Sequence, residues 1–264
     1  MKHVFYLFKM DTGISSVLLL GRFQGKNGQI DVVECSRNGT RVYFEEGVRQ
    51  SQATPNGESV FTYVKIMETF LGPAANVLLL GCGGGNLATR LTRLGKHATV
   101  VDINPLSFVI ARRFFGLPSD IPCITSDFRS YVRDCRSTYD AIAIDVGGPG
   151  FSFATEFDEW TCEAIRSRLA PAGRVVMNVL VSHDIDPNAD RIAARLSGNE
   201  LHSWVVDEPG VGDRNAIIAC LPEKVRPARA ALMRVLKASD EKWVVRRSRL
   251  RKCDLAVGAL RRSS

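Results

Sequence analysis

The 264-residue sequence has no cysteine pair at CxxC spacing, and its seven cysteines (Cys35, Cys82, Cys123, Cys135, Cys162, Cys220 and Cys253) are an odd number. That argues against a zinc site or a disulfide framework and reads as reduced usage. The four histidines, His3, His97, His183 and His202, form no ligand cluster, so no metal is expected. No apolar run approaches the ~20 residues of a membrane span. The start, MKHVFYLFKMDTG, is broken by Lys9 and Asp11 and does not read as a signal peptide. A cytoplasmic location is the expectation. Residues 1–241 also lack net charge: the excess of +7 sits in residues 242–264, where eight Lys and Arg face Asp254 alone. Such a tail is suited to nucleic acid or an anionic membrane surface, but a solvated terminus is the favoured reading.

What the chain does have is the run VLLLGCGGGN, residues 77–86. Val77 to Leu80 read as a buried parallel strand, Gly81-Cys82-Gly83-Gly84-Gly85 as a sharp turn, and a helical pattern starts near Asn86. A second apolar run, Ala98 to Val101, ends in Asp102, an acid placed to accept hydrogen bonds from a ribose diol. Strands are expected near 77–81, 98–102, 121–125, 140–145 and 173–181, with two more at 201–206 and 215–220. Helices are expected near 59–71, 86–95, 105–115, 128–134, 155–169, 187–197 and 226–238. The alternation predicts an α/β fold: a doubly wound, mostly parallel, Rossmann-like sheet. Residues 1–56 read as a small β region, with strands near 29–35 and 40–45 flanking Asn38-Gly39. Three parts are expected: a β-hairpin region over 1–56, a nucleoside-binding transferase domain over 57–238, and a basic tail over 239–264.

A dinucleotide fold wants glycine where Asn86 stands. Two more acids instead fall at strand ends: Asp127, with Phe128 beside it for an adenine ring, and Asp145, which precedes Val146-Gly147-Gly148. Three acids at successive strand tips suit an adenosyl sulfonium ligand. Each has a structural alternative: Asp127 as a helix N-cap, Asp145 as an Asx turn, Asp102 as a cap for the helix beginning at Pro105. Tyr63 is equally suited to the core or to a pocket.

On these residues the chain resembles the spermidine synthase (polyamine aminopropyltransferase) family over roughly residues 29–220. Glu46-Gly47-Val48-Arg49-Gln50 resembles the segment before that family's gate loop, and Phe61-Thr62-Tyr63-Val64-Lys65-Ile66 its tyrosine-bearing gate helix. Val101-Asp102-Ile103-Asn104 is similar to its ribose-binding segment, Ser126-Asp127-Phe128 to its adenine-binding pair, and Tyr139 to Asp145 to the strand carrying its catalytic Asp. The resemblance implies donor contacts from Gln50, Gly81, Gly83, Gly85, Asp102, Ile103, Asp127 and Phe128. It implies a catalytic Asp145, an acceptor contact from Tyr63, and a homodimer. The co-substrate would be decarboxylated S-adenosylmethionine, the acceptor a small-molecule amine. Three family acids are replaced, by Gly84, Gly148 and Lys65. Ordinary S-adenosylmethionine, its carboxylate on the amides of the Gly81–Gly85 turn, is therefore carried as a second donor. The readings are aminopropyl transfer to an amine, methyl transfer on the same scaffold, and a non-catalytic nucleoside-binding module.

Overall fold

The computed structural model describes residues 5–10, 13–148 and 150–250, with side chains from residue 16 onward. Five antiparallel strands come first: β1 (Phe5–Met10), β2 (Gly13–Gly25), β3 (Gly28–Cys35), β4 (Arg41–Glu45) and β5 (Val48–Ala53). The Asn38-Gly39 hairpin joins β3 to β4, with Gly39 at φ 67°. The β region is thus larger than the two expected strands, and residues 51–53, expected in a loop, are its last strand.

Helix α1 (Thr62–Leu71) starts later than the predicted residue 59, because Phe61 stays extended at ψ 128°. Val60 is thereby left outside the helix and is 42% exposed. The α/β part follows as β6 (Asn76–Leu80), α2 (Asn86–Arg93), β7 (His97–Asp102), α3 (Pro105–Phe114), β8 (Cys123–Thr125), α4 (Phe128–Asp134) and β9 (Tyr139–Ile144). The single helix expected over 155–169 is two, α5 (Phe153–Glu156) and α6 (Glu159–Arg166). The break lies at Asp158, whose carboxylate accepts the Thr161 amide and caps α6. Then come β10 (Leu169–Val181), α7 (Asn188–Ser197), β11 (Leu201–Asp207), β12 (Arg214–Pro222), α8 (Arg229–Lys237) and β13 (Val244–Arg247).

The large sheet has the order β13-β11-β12-β10-β9-β6-β7-β8. The pairs from β10 to β8 are parallel, and β12 and β13 run antiparallel to their neighbours. Both faces are covered, which explains unbroken apolar strands. Val77 and Leu79 enter one core layer with α1 and α2, while Leu78 and Leu80 enter the other with α4, α6 and α7. The small sheet packs on α3 through Ile30, Val32 and Tyr43 against Ile110, Phe114 and Phe115. Chain order reverses between β6 and β9, so a crevice opens beyond their carboxyl ends.

The expected tail over 239–264 begins as part of the sheet. β13 pairs with β11, and the Arg247 guanidinium covers the Trp204 ring at 4.2 Å. Asp190 of α7 is 4% exposed and takes both Arg246 nitrogens, at 2.7 and 2.9 Å, with the Ser248 hydroxyl and the Arg249 amide. These donors hold its carboxyl below the usual range against burial. Residues 251–264 lie outside the described residues. Arg246→Ala should strand this carboxylate and lower the unfolding free energy by about 3 kcal/mol at neutral pH. The depressed native pKa makes the contribution full above the unfolded value, near ~4, and lost as pH falls through the native one. Urea denaturation at pH 7 and pH 3 should therefore show a large gap between variant and parent at pH 7 and a much smaller one at pH 3.

Candidate functional site

The tips of β9, β6, β7 and β8 lie side by side and carry, in that order, Asp145, the Gly81–Gly85 turn, Asp102 and Asp127. The turn is stitched to both neighbouring strands. The Gly81 amide donates to Val101 O, and the Asp145 amide to Leu80 O, each at 2.8 Å. Gly81 has φ 95°, and a Cβ there would lie 2.1 Å from the Asp145 carbonyl oxygen. Only glycine lets the two strand ends approach so closely. Gly85, at φ 68°, opens α2.

Asp102 works on the turn. Its Oδ2 accepts the Cys82 amide and its Oδ1 the Asn104 amide, both at 2.8 Å. Burial raises its pKa, and the amides of Asn104, Cys82 and Gly83 with the Ser107 hydroxyl oppose this. It does not cap α3: Asn104 does, accepting the Leu106 amide. Asp127 does cap its helix, through the Ser130 amide at 3.0 Å. Phe128 is 7% exposed and stacks on Phe157 at 5.2 Å, inside a cluster with Phe151. Ile103 is 38% exposed just past Asp102. Gln50 is the extra residue of a β-bulge, since Tyr43 pairs with Ser51 but Phe44 with Arg49.

The remaining turn amides are also committed. Gly84 N donates to Ser51 Oγ at 2.8 Å and Gly85 N to Cys82 O at 2.7 Å. A donor carboxylate therefore does not find the free amides that the sequence suggested, because the turn folds its N–H groups onto its own surroundings. Gly84 is itself covered: a Cβ there would meet Ser51 Cβ and Asn86 Oδ1 at 3.0 Å. Asn86 Nδ2 holds Gly57 O at 3.0 Å, fastening the 54–58 turn beside the site.

One crevice contains Gly81, Cys82, Gly85, Tyr63 and Asp145, with Phe61 and Val64 of the α1 segment as a wall. Gln50, Gly83, Asp102, Ile103, Asp127 and Phe128 do not line it. Asp145 is held by two neutral donors, Asn178 Nδ2 at 3.0 Å to Oδ1 and Tyr63 OH at 3.2 Å to Oδ2. No Asx turn forms there among the contacts of its carboxylate. Burial pushes its pKa up, against the bonds from Asn178 and Tyr63. Burial, then Asp145, push the Tyr63 phenol up, so it stays protonated and donates. Tyr63 stacks on Phe61 at 5.5 Å, so it is a pocket residue as well as a packed one. Burial also raises the Cys82 thiol.

Asn178, Ser51 and Arg49 were not singled out by the sequence. Asn178 is the one polar residue in the apolar run Val175–Val181 of β10. It is 8% exposed, and its Oδ1 has no partner. That polar interruption, three residues before the strand end, was the available signal. Among the described residues no group of His, Cys, Asp and Glu is arranged to hold a metal, and no helix is long and apolar enough to cross a membrane. Gly81→Ala should push β6 and β9 apart, destabilise the protein by about 2 kcal/mol or more, and abolish nucleoside binding. Thermal melts with and without methylthioadenosine check both effects.

No family model matches the chain. It is 34% identical over 175 residues to polyamine aminopropyltransferase 1 of Streptomyces coelicolor, covering 61% of this chain and 33% of that protein. The matched segments span between a quarter and a half of the curated relatives' lengths. In structure it matches a probable spermidine synthase from Corynebacterium glutamicum with a TM-score of 0.76 at 19% identity, covering 86% of this chain and 90% of that one. A spermidine synthase bound to the transition-state analogue AdoDATO matches with a TM-score of 0.61 at 18% identity, over 85% and 81%. In sequence and in fold the chain is spermidine synthase-like, built on a methyltransferase-like Rossmann sheet.

Proposed function

We propose that the protein transfers an aminopropyl group from decarboxylated S-adenosylmethionine to an amine. The observation that carries this is the half-buried Asp145, held by Tyr63 and Asn178 at the carboxyl end of β9, beside the glycine turn. The names of the curated relatives point the same way. The donor would lie across the strand tips, its ribose by Asp102 and its adenine toward Asp127 and Phe128. Gln50, Gly83 and Ile103 would border it from the bulge, the turn and the β7 tip. The residues fit a nucleoside: apart from Cys82 the turn carries no side chains, and Asp102 keeps lone pairs beyond its two short amide bonds. They do not fit the carboxylate of ordinary S-adenosylmethionine on the turn amides, so methyl transfer loses the geometric reason that favoured it.

The donor supplies a carbon already activated by attachment to sulfonium. What remains is to align a nitrogen and remove its proton. An alkylamine has an ordinary pKa near ~10 and must reach the carbon unprotonated. Asp145 orients the nitrogen and accepts a proton from it as the N–C bond forms. The C–S bond breaks, and sulfur keeps the electron pair as methylthioadenosine leaves. Tyr63 and Asn178 fix the carboxylate's rotamer. Apolar walls keep competing water out.

Asp145→Asn should lower kcat for methylthioadenosine release by about 100-fold or more while leaving nucleoside affinity within a few fold. Below the raised pKa of Asp145, both an ionised Asp145 and a neutral amine are required. The log of kcat/KM should therefore rise with slope two at low pH and slope one above that pKa. Tyr63→Phe removes a hydrogen bond that stabilises the ionised form, so the break should move to higher pH. A profile with no break, or one that moves downward in Tyr63→Phe, would remove Asp145 from the proton transfer.

A further inference from the structure

The crevice contains one carboxylate, Asp145, among the described residues that line it. Its other walls are mostly apolar, with Phe61, Val64 and Leu80 among them, and its uncharged polar side chains are Tyr63, Ser51, Ser59, Asn86 and Cys82. Each Asp145 oxygen already accepts one bond, Oδ1 from Asn178 and Oδ2 from Tyr63. That arrangement accommodates one amine nitrogen. A diamine would add a further ammonium to the one that the donor's propylamine arm already carries, with no second carboxylate among the lining residues to meet it, which is strongly unfavourable.

The charge at the rim has the opposite sign to a site for dications. Arg49, the residue before the β5 bulge, places its guanidinium 5.1 Å from the centroid of the Phe61 ring. Phe61 in turn stacks on Tyr63. Arg49 donates to Gln52 Oε1, a neutral partner, so its positive charge is not cancelled by that bond. Glu68 of α1, the nearest acid on that helix, is turned to Arg90. A chain running outward from Asp145 along Phe61 thus meets apolar surface and then positive charge.

We infer that the acceptor is a primary monoamine whose far end is uncharged or anionic, and not an α,ω-diamine. This rests on the proposed transfer reading for where the attacking nitrogen lies, but amine selectivity is measurable by binding alone. Calorimetry of the full-length protein saturated with methylthioadenosine would compare butylamine, 4-aminobutanoate and 1,4-diaminobutane. Butylamine and 4-aminobutanoate should each bind at least tenfold more tightly than the diamine. Arg49→Glu should weaken 4-aminobutanoate and strengthen 1,4-diaminobutane, each several-fold, with butylamine nearly unchanged. That pattern also separates the role of charge from any loss of packing, which would weaken all three. Tighter binding of the diamine, no binding of any amine, or equal effects of Arg49→Glu on all three overturns the inference. Methylthioadenosine release from decarboxylated S-adenosylmethionine, followed separately with each amine, tests the transfer reading. Selective monoamine binding without release sinks transfer and leaves the selectivity standing. Release that is fastest with the diamine does the reverse.

Discussion

The contact between Gly81 and the backbone of Asp145 is the constraint on which the site depends. The two chain segments touch where a Cβ would be 2.1 Å from a carbonyl oxygen, and amide bonds fasten both to β6 and β7. This closeness puts a glycine-rich turn beside a carboxylate without either lying on a long loop. The sheet around it is rigid because both its faces are packed, so the spacing of the strand tips is inherited from the core. Sites built on strand ends hold their geometry better than sites carried by loops alone.

Two carboxylates at neighbouring tips have been given different surroundings. Asp102 is ringed by backbone amides, which favour its ionised form against the burial that raises its pKa. Asp145 has only a phenol and a side-chain amide, and burial works against its charge. The first is suited to holding a turn and reading hydroxyls. The second is suited to exchanging a proton. Identity at the residue level is the same, and the division of labour comes from which donors the fold brings to each.

The central strands of the large sheet were legible because β6 and β9 carry unbroken apolar runs ending at a glycine or an acid. Val77–Leu80 and Ala141–Ile144 needed no alternation, since both of their faces are covered. Gly81 and Asp145 share one crevice because they end neighbouring strands, and Tyr63, whose pocket role only the resemblance implied, joins them there. Arg49 and Ser51 were illegible for a physical reason: they act through partners in another part of the chain, across the β5 bulge. The free turn amides were misjudged for the same reason, because Ser51, 33 positions away, takes the Gly84 amide. Residues 239–250 looked like a solvated tail because charge dominates their composition. Asp190 and Trp204, the groups that fold them down, lie on α7 and β11 and leave no local pattern.

The Ser51–Gly84 and Asn86–Gly57 bonds have a consequence for how occupancy is felt across the molecule. Each joins the β5 end of the small sheet to the glycine turn through a single side chain. Free energy that steadies the turn is therefore shared with β5 and the 54–58 turn, and loosening of that sheet is felt as faster escape of whatever the turn holds. Amide exchange in Ser51–Ala53 becomes a reporter of events at the tips of β6 and β7, although these residues belong to a different sheet. The small sheet is in this sense a lever on residence time as well as a cover.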